Sequence, residues 1–149
     1  MAKEQKMWVY PVKLQEDDNG TYLVTFPDLP DAITFGESHE DALEKAEDSL
    51  REVIAARIAH REEIPLPSSR GDDFVTLDGN SQLKVALYRC MSDAGYKKAD
   101  LARALHCDQK QVDRLLDVKH NSSIKILDEA FHALGKRMSF RVQDISAAV

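Results

Sequence analysis

Through the first part of the chain, hydrophobic and polar positions alternate with a period of two, and then they switch to helical spacing. Trp8, Val9, Tyr10 and Val12 make a first strand from Trp8 to Lys13, in which Pro11 implies a free edge or a late start. Glu16-Asp-Asp-Asn-Gly20 reads as a hairpin turn, because Asn-Gly tolerates the positive φ that tight turns demand. In a second strand, Thr21–Phe26, the side chains of Tyr22, Val24 and Phe26 alternate with those of Thr21, Leu23 and Thr25. Pro27-Asp-Leu-Pro30 breaks this strand, and Ala32–Phe35 forms a short third one closed by Gly36. Ser38 then caps a long helix with Ala42, Leu43, Ala46, Leu50, Val53, Ile54 and Ile58 on its buried stripe, and Glu40, Glu44, Glu47, Asp48, Arg51 and Glu52 on its wet side. After Ile64-Pro-Leu-Pro67, a last strand falls at Phe74–Leu77. The order β-β-β-α-β predicts an α+β domain with its helix on one face of a small sheet.

The second half is helical throughout. Leu83, Val85, Ala86, Leu87, Cys90 and Met91 share a face that ends at Gly95, where a left-handed closing residue is wanted. Leu101, Ala102 and Leu105 repeat at helical spacing, His106-Cys-Asp108 interrupts, and Val112, Leu115 and Leu116 resume, which is a helix-turn-helix pattern. Asp108 with Gln111 three residues later makes a capping pair, so the second of these helices starts at about Gln109. Asn121-Ser-Ser123 offers caps for a fourth helix carrying Ile124, Ile126, Leu127, Ala130, Phe131 and Leu134, closed by Gly135. Met138–Val142 alternates like a strand; a lone strand needs a partner, so pairing with a symmetry mate is the expected route to a dimer.

The formal net charge of -6 conceals a division. Residues 1–80 hold 8 Lys and Arg against 18 Asp and Glu, net -10, whereas residues 81–149 hold 12 against 8, net +4. Phosphates repel the acidic front and attract the basic rear, so nucleic acid belongs to the rear and a basic partner to the front. Cys90 and Cys107 lie at or near apolar helix positions without a C-x-x-C pair, so buried free thiols are expected rather than disulfides or a zinc site. No apolar run approaches the roughly 18 residues of a membrane helix, and no signal-peptide core follows Met1–Lys6, so a cytoplasmic chain without membrane contact is expected. Breakers between Pro65 and Asn80 place the boundary there, giving domains at 1–79 and 80–149.

Two resemblances carry a functional expectation. The four-helix order, with Lys119-His-Asn121 after the reading helix, resembles the repressor-type helix-turn-helix of the Xre/Cro family. In such motifs the N-terminal residues of the second helix enter the major groove, here Gln109, Lys110 and, one turn on, Asp113 and Arg114; the resemblance puts Gln109, Lys110 and Arg114 at base-reading positions, and Lys119 and Asn121 where backbone phosphates are usually held. Gln and Arg make bidentate bonds to adenine and guanine edges. In the front half, Tyr22-Leu-Val-Thr-Phe-Pro-Asp-Leu-Pro30, Thr34-Phe-Gly-Glu-Ser38, Glu40-Asp-Ala-Leu43 and Ile64-Pro-Leu-Pro-Ser68 resemble the HicB antitoxin family, in its order and spacing. Asp31-Ala32 stands where that family often has Gly-Cys.

The resemblance implies a degraded ribonuclease-H-like front domain that binds a small, basic, RNA-cleaving HicA-like toxin. Asp28, Asp31 and Glu37 are then the candidate toxin contacts. It also implies a rear domain that binds the double-stranded operator of its own operon as a homodimer or a tetramer. Inhibition would be steric and electrostatic, so no catalytic residue, metal or cofactor is called for. A stand-alone repressor with a ligand-sensing front domain is the alternative.

An enzyme reading competes, since Asp17, Asp18, Asp28, Asp31 and Glu37 crowd the loops of such a sheet, where nucleases hold paired Mg²⁺ ions. Those positions are turns, in which solvated carboxylates are normal. His39 reads as an exposed first-turn residue, and His106 as a left-handed turn residue or a phosphate contact. His120 reads equally as a solvated loop residue or a phosphate contact.

Overall fold

The computed structural model describes residues 7–68 and 70–145, so the leader reading at Met1–Lys6 and the end of the C-terminal tail lie outside the described residues. The fold is α+β: strands β1 (Val9–Glu16), β2 (Tyr22–Phe26) and β3 (Leu29–Gly36), helix α1 (His39–Ala59), strand β4 (Asp73–Thr76), then helices α2 (Gly79–Ala94), α3 (Lys98–Leu105), α4 (Gln109–Leu116) and α5 (Ile124–Ala133). The described residues form two compact units, one holding residues 7–77 together with 143–145 and one running from Asp78 to Val142.

In the first unit the strands lie in the order β3-β2-β1-β4, all antiparallel. β1 changes partner halfway: Val9–Val12 pair with β4, and Lys13–Glu16 pair with β2. Pro11 therefore lies where β2 does not pair, which is how a residue without an N–H is accommodated in a middle strand. The hairpin closes with Asp17 N–H donating to the Thr21 carbonyl at 2.7 Å, and Gly20 takes φ 84°.

β3 begins three residues earlier than its sequence suggests. A register shift at Thr25/Phe26 lets Leu29 pair with Phe26 across a two-residue turn. Pro30 is tolerated because β3 is an edge strand, where a missing donor costs no ladder bond. The strand predicted at Phe74–Leu77 lies one residue earlier, at Asp73–Thr76, although Leu77 still donates to the Trp8 carbonyl at 3.0 Å.

α1 buries Ala42, Ala46, Leu50, Ile54 and Ile58 at strict four-residue spacing, while Leu43 and Val53 are only half-buried. Its start is fixed twice. Ser38 Oγ accepts from Asp41 N–H at 3.1 Å, and Asp41 Oδ2 accepts from Glu37 N–H at 2.9 Å. At Gly36 an added Cβ would lie 2.4 Å from the Ala42 backbone, so only glycine lets the end of β3 meet the first turn of α1. On the far side of the sheet from this core, Ile33 and Phe35 of β3 are each 58% exposed.

In the second unit Val85, Leu87, Met91, Leu101, Val112, Leu115, Leu127 and Phe131 make one core. Gly95 closes α2 at φ 70° and His106 closes α3 at φ 54°, so His106 serves as the left-handed turn residue. The expected strand at Met138–Val142 is absent: this stretch is irregular, with Phe140 66% and Val142 96% exposed. With no second strand to receive its backbone bonds, the alternation alone does not form a strand in the single chain.

Candidate partner and nucleic-acid interfaces

α3 and α4 are eight residues each and are joined by His106-Cys-Asp108. Asp108 caps α4 by accepting from Gln111 N–H at 2.9 Å, so α4 starts at Gln109 as its cap predicts. Val112, Leu115 and Leu116 face inward, and Gln109, Lys110, Asp113 and Arg114 are exposed. Four of the six sequence-predicted DNA contacts therefore share one helix surface, while Lys119 and Asn121 are exposed in the loop that follows. Asp113 is not simply presented to solvent: its carboxylate lies 2.6 Å from Lys98 Nζ in the first turn of α3.

Behind this surface lies a residue that the sequence reading passed over. Lys84 of α2 is fully buried, and its Nζ donates to the carbonyls of Arg114 (2.7 Å), Asp117 (2.9 Å) and His120. Burial pulls its pKa down to about 8, while the Asp117 charge pulls the other way. One turn earlier, Asn80 Nδ2 donates to the carbonyls of Val118 (3.2 Å) and His120 (3.0 Å), and Asn80 Oδ1 accepts from Ser122 N–H at 3.4 Å. A signal was present in the spacing: Ser81, Lys84, Val85 and Met91 form one buried stripe, so the lysine occupies an apolar register.

The candidate toxin contacts have separate fates. Asp28 accepts from both the backbone N–H (2.9 Å) and the hydroxyl (3.1 Å) of Ser68, which pins the loop after α1 to the β2–β3 turn. Asp31 pairs with Arg57 at 2.9 Å; that hydrogen bond holds its carboxyl below the usual range. The same guanidinium donates to the Glu63 carbonyl at 3.0 Å. Tyr10 completes the anchoring by donating to the Pro65 carbonyl at 2.7 Å. Of the three, Glu37 is exposed where the chain leaves β3. Two of the three acids thus engage their carboxylates with other parts of the same unit, Asp28 half-buried and Asp31 at the surface.

Among the described residues, no three His, Cys, Asp or Glu side chains gather as a metal set. His39 is exposed, 3.3 Å from Asp73 and edge-on to Tyr22. Cys90 and Cys107 are free but only half-buried, a correction to the expectation of buried thiols, and what burial they have pushes both pKa values up. No helix among the described residues is long and apolar enough to cross a membrane.

Comparison with known proteins places this geometry. Residues 9–86, which span the sheet, α1 and the first half of α2, match the family described as HicB_like antitoxin of bacterial toxin-antitoxin system. The chain belongs to the HicB-like antitoxin family. Its relatives include Antitoxin HicB 2 of Photorhabdus laumondii, 36% identical over 87% of this chain and 92% of the relative. Antitoxin HicB of Escherichia coli K12 is 33% identical over 87% of this chain and 96% of the relative. Antitoxin HicB of Pseudomonas fluorescens is 29% identical over 92% and 95%. The HicB-like match covers the loop fastened by Asp28, Asp31 and Tyr10, so those internal bonds stabilise the part of the chain that marks the family.

Proposed function

We propose that this HicB-like chain is a non-enzymatic, autoregulating antitoxin: its first unit covers a HicA-like RNA-cleaving toxin, and its second binds operator DNA as a dimer. The observation that carries the reading is that one chain joins an antitoxin-type acidic half to a basic half exposing Gln109, Lys110 and Arg114 on one capped helix. A half with net charge -10 attracts a protein built to bind RNA, and burying that protein's RNA-binding face needs no chemistry.

The toxin-facing surface is centred on β3. Asp31 and Glu37 frame Ile33 and Phe35, an exposed apolar pair of the kind that anchors an interface, and the outer edge of β3 is unpaired within the sheet. In the second unit, α3-turn-α4 acts as a helix-turn-helix with α4 in the major groove. Gln109 and Arg114 read base edges, Lys110 reaches guanine or phosphate, and Lys119 and Asn121 hold the backbone. The domains correspond to residues 1–79 and 80–149, and the tail from Met138 joins two copies. The test is to co-express this chain with a candidate small, basic toxin. A stable complex that also retains a duplex from the upstream region supports the reading, whereas separate elution of the two proteins overturns the antitoxin half of it.

A further inference from the structure

Among the described residues there are five α-helices, and four of them end in the same way. A left-handed residue follows or closes α1 (Arg61, φ 57°), α2 (Gly95, φ 70°), α3 (His106, φ 54°) and α5 (Gly135, φ 72°). α4 ends differently: its C-cap, Asp117, is extended at φ -90° and ψ 107°, so the usual left-handed closure that satisfies the last carbonyls is missing. Local backbone bonds meet part of the need, with Asp117 N–H donating to the Arg114 carbonyl at 3.3 Å and His120 N–H to the Asp117 carbonyl at 3.0 Å, and α2 supplies the rest. Lys84 Nζ meets the carbonyls of Arg114 in the last turn, Asp117 at the cap and His120 in the loop, matching its three donors to three acceptors. Asn80 holds the carbonyls of Val118 and His120 and the Ser122 N–H.

A fully buried lysine is costly, because its charge loses water that only good hydrogen bonds replace. An apolar residue would continue the stripe of Val85 and Met91 without that cost. What the ammonium adds is a fixed exit from α4, and the exposed side chains of Lys119 and Asn121 project from the segment so fixed.

We propose that Lys84, assisted by Asn80, is the positioning residue of the DNA interface, setting Lys119 and Asn121 at the distance from α4 that adjacent phosphates require. The proposal rests on the reading of α4 as the DNA-binding helix. Lys84 itself touches no DNA. Its positive charge also favours the negative end of the α4 dipole, and Asp117 is the charged group that acts on it from that end.

The experiment uses the full chain and the duplex that the wild-type protein enriches from a random-sequence DNA library. Lys84→Met preserves the apolar stripe, so helical content by circular dichroism stays at the wild-type level. Affinity for the enriched duplex falls roughly tenfold or more, and the slope of log affinity against log salt drops by about one, as expected when a lysine–phosphate contact is lost. Raising the pH through about 8 weakens the wild type more than Lys84→Met, because only the wild type loses the ammonium. Should Lys84→Met fail to fold, Asn80→Ala removes the other half of the clamp from a partly exposed site, and weaker binding with a shallower salt slope is again expected. Affinity and slope equal to wild type in whichever variant folds overturn the proposal. A wild-type chain that enriches no duplex overturns the DNA reading, and this proposal with it.

Discussion

Lys98 and Asp113 form an ion pair of 2.6 Å that ties the first turn of α3 to the exposed face of α4. Both side chains remain partly exposed, so the pair contributes at most about 1 kcal/mol to stability. Its larger effect is on charge: Asp113 is the one acid among the exposed residues of the proposed reading face, and Lys98 neutralises it there.

Asp113→Asn therefore removes a repulsive charge and releases Lys98 toward the backbone. Duplex affinity rises or holds at moderate salt, as measured by fluorescence anisotropy. A loss as large as that from Arg114→Ala would mean that Asp113 reads a base.

Arg114→Ala and Gln109→Ala each lower affinity for the preferred duplex by about 1–3 kcal/mol and relax its sequence selectivity. Lys119→Ala weakens binding to all duplexes alike and reduces the salt slope by about 1. Competition against scrambled duplexes separates the two behaviours.

Asp31 and Arg57 give a pH-dependent contribution to stability. The bond from Arg57 lowers the Asp31 pKa below its ordinary 3.8, so the folded state holds fewer protons there than the unfolded chain. The contribution is fully present above about pH 4 and is lost as pH falls through the lowered value. Since Asp31 is half exposed, it amounts to about 0.5 kcal/mol after screening. Urea unfolding should show Asp31→Asn less stable than wild type at neutral pH, with the gap closing in acid.

Gly36→Ala destabilises the first unit by about 3 kcal/mol or more, because the added Cβ meets Ala42 backbone at 2.4 Å and no side-chain rotation relieves it. Ser38→Ala, two residues later, removes only the cap and costs about 1 kcal/mol. Thermal unfolding of the two variants orders them.

Local signals made much of this fold legible. The caps at Ser38, Asp108 and Ser123, and the closures at Gly20, Gly95 and His106, depend on residues within a few positions of one another, and the structure shows each of them. The early start of β3 was hidden because Pro30 reads as a breaker unless its strand is known to lie at an edge. The fates of Asp28 and Asp31 were hidden for another reason: their partners, Ser68 and Arg57, lie 40 and 26 residues away. Lys84 was passed over because a lysine within an amphipathic helix ordinarily belongs to solvent, and its three acceptors appear only when α4 folds back against α2.

Toxin neutralisation is read by titration. A candidate small basic toxin is incubated with RNA, and this chain is added in increasing amount while cleavage is followed. Neutralisation predicts that cleavage stops near equal stoichiometry, and that Phe35→Asp shifts the titration to higher concentration without unfolding the chain. Cleavage that continues unchanged at a large excess of folded wild-type chain would rule out neutralisation by this protein.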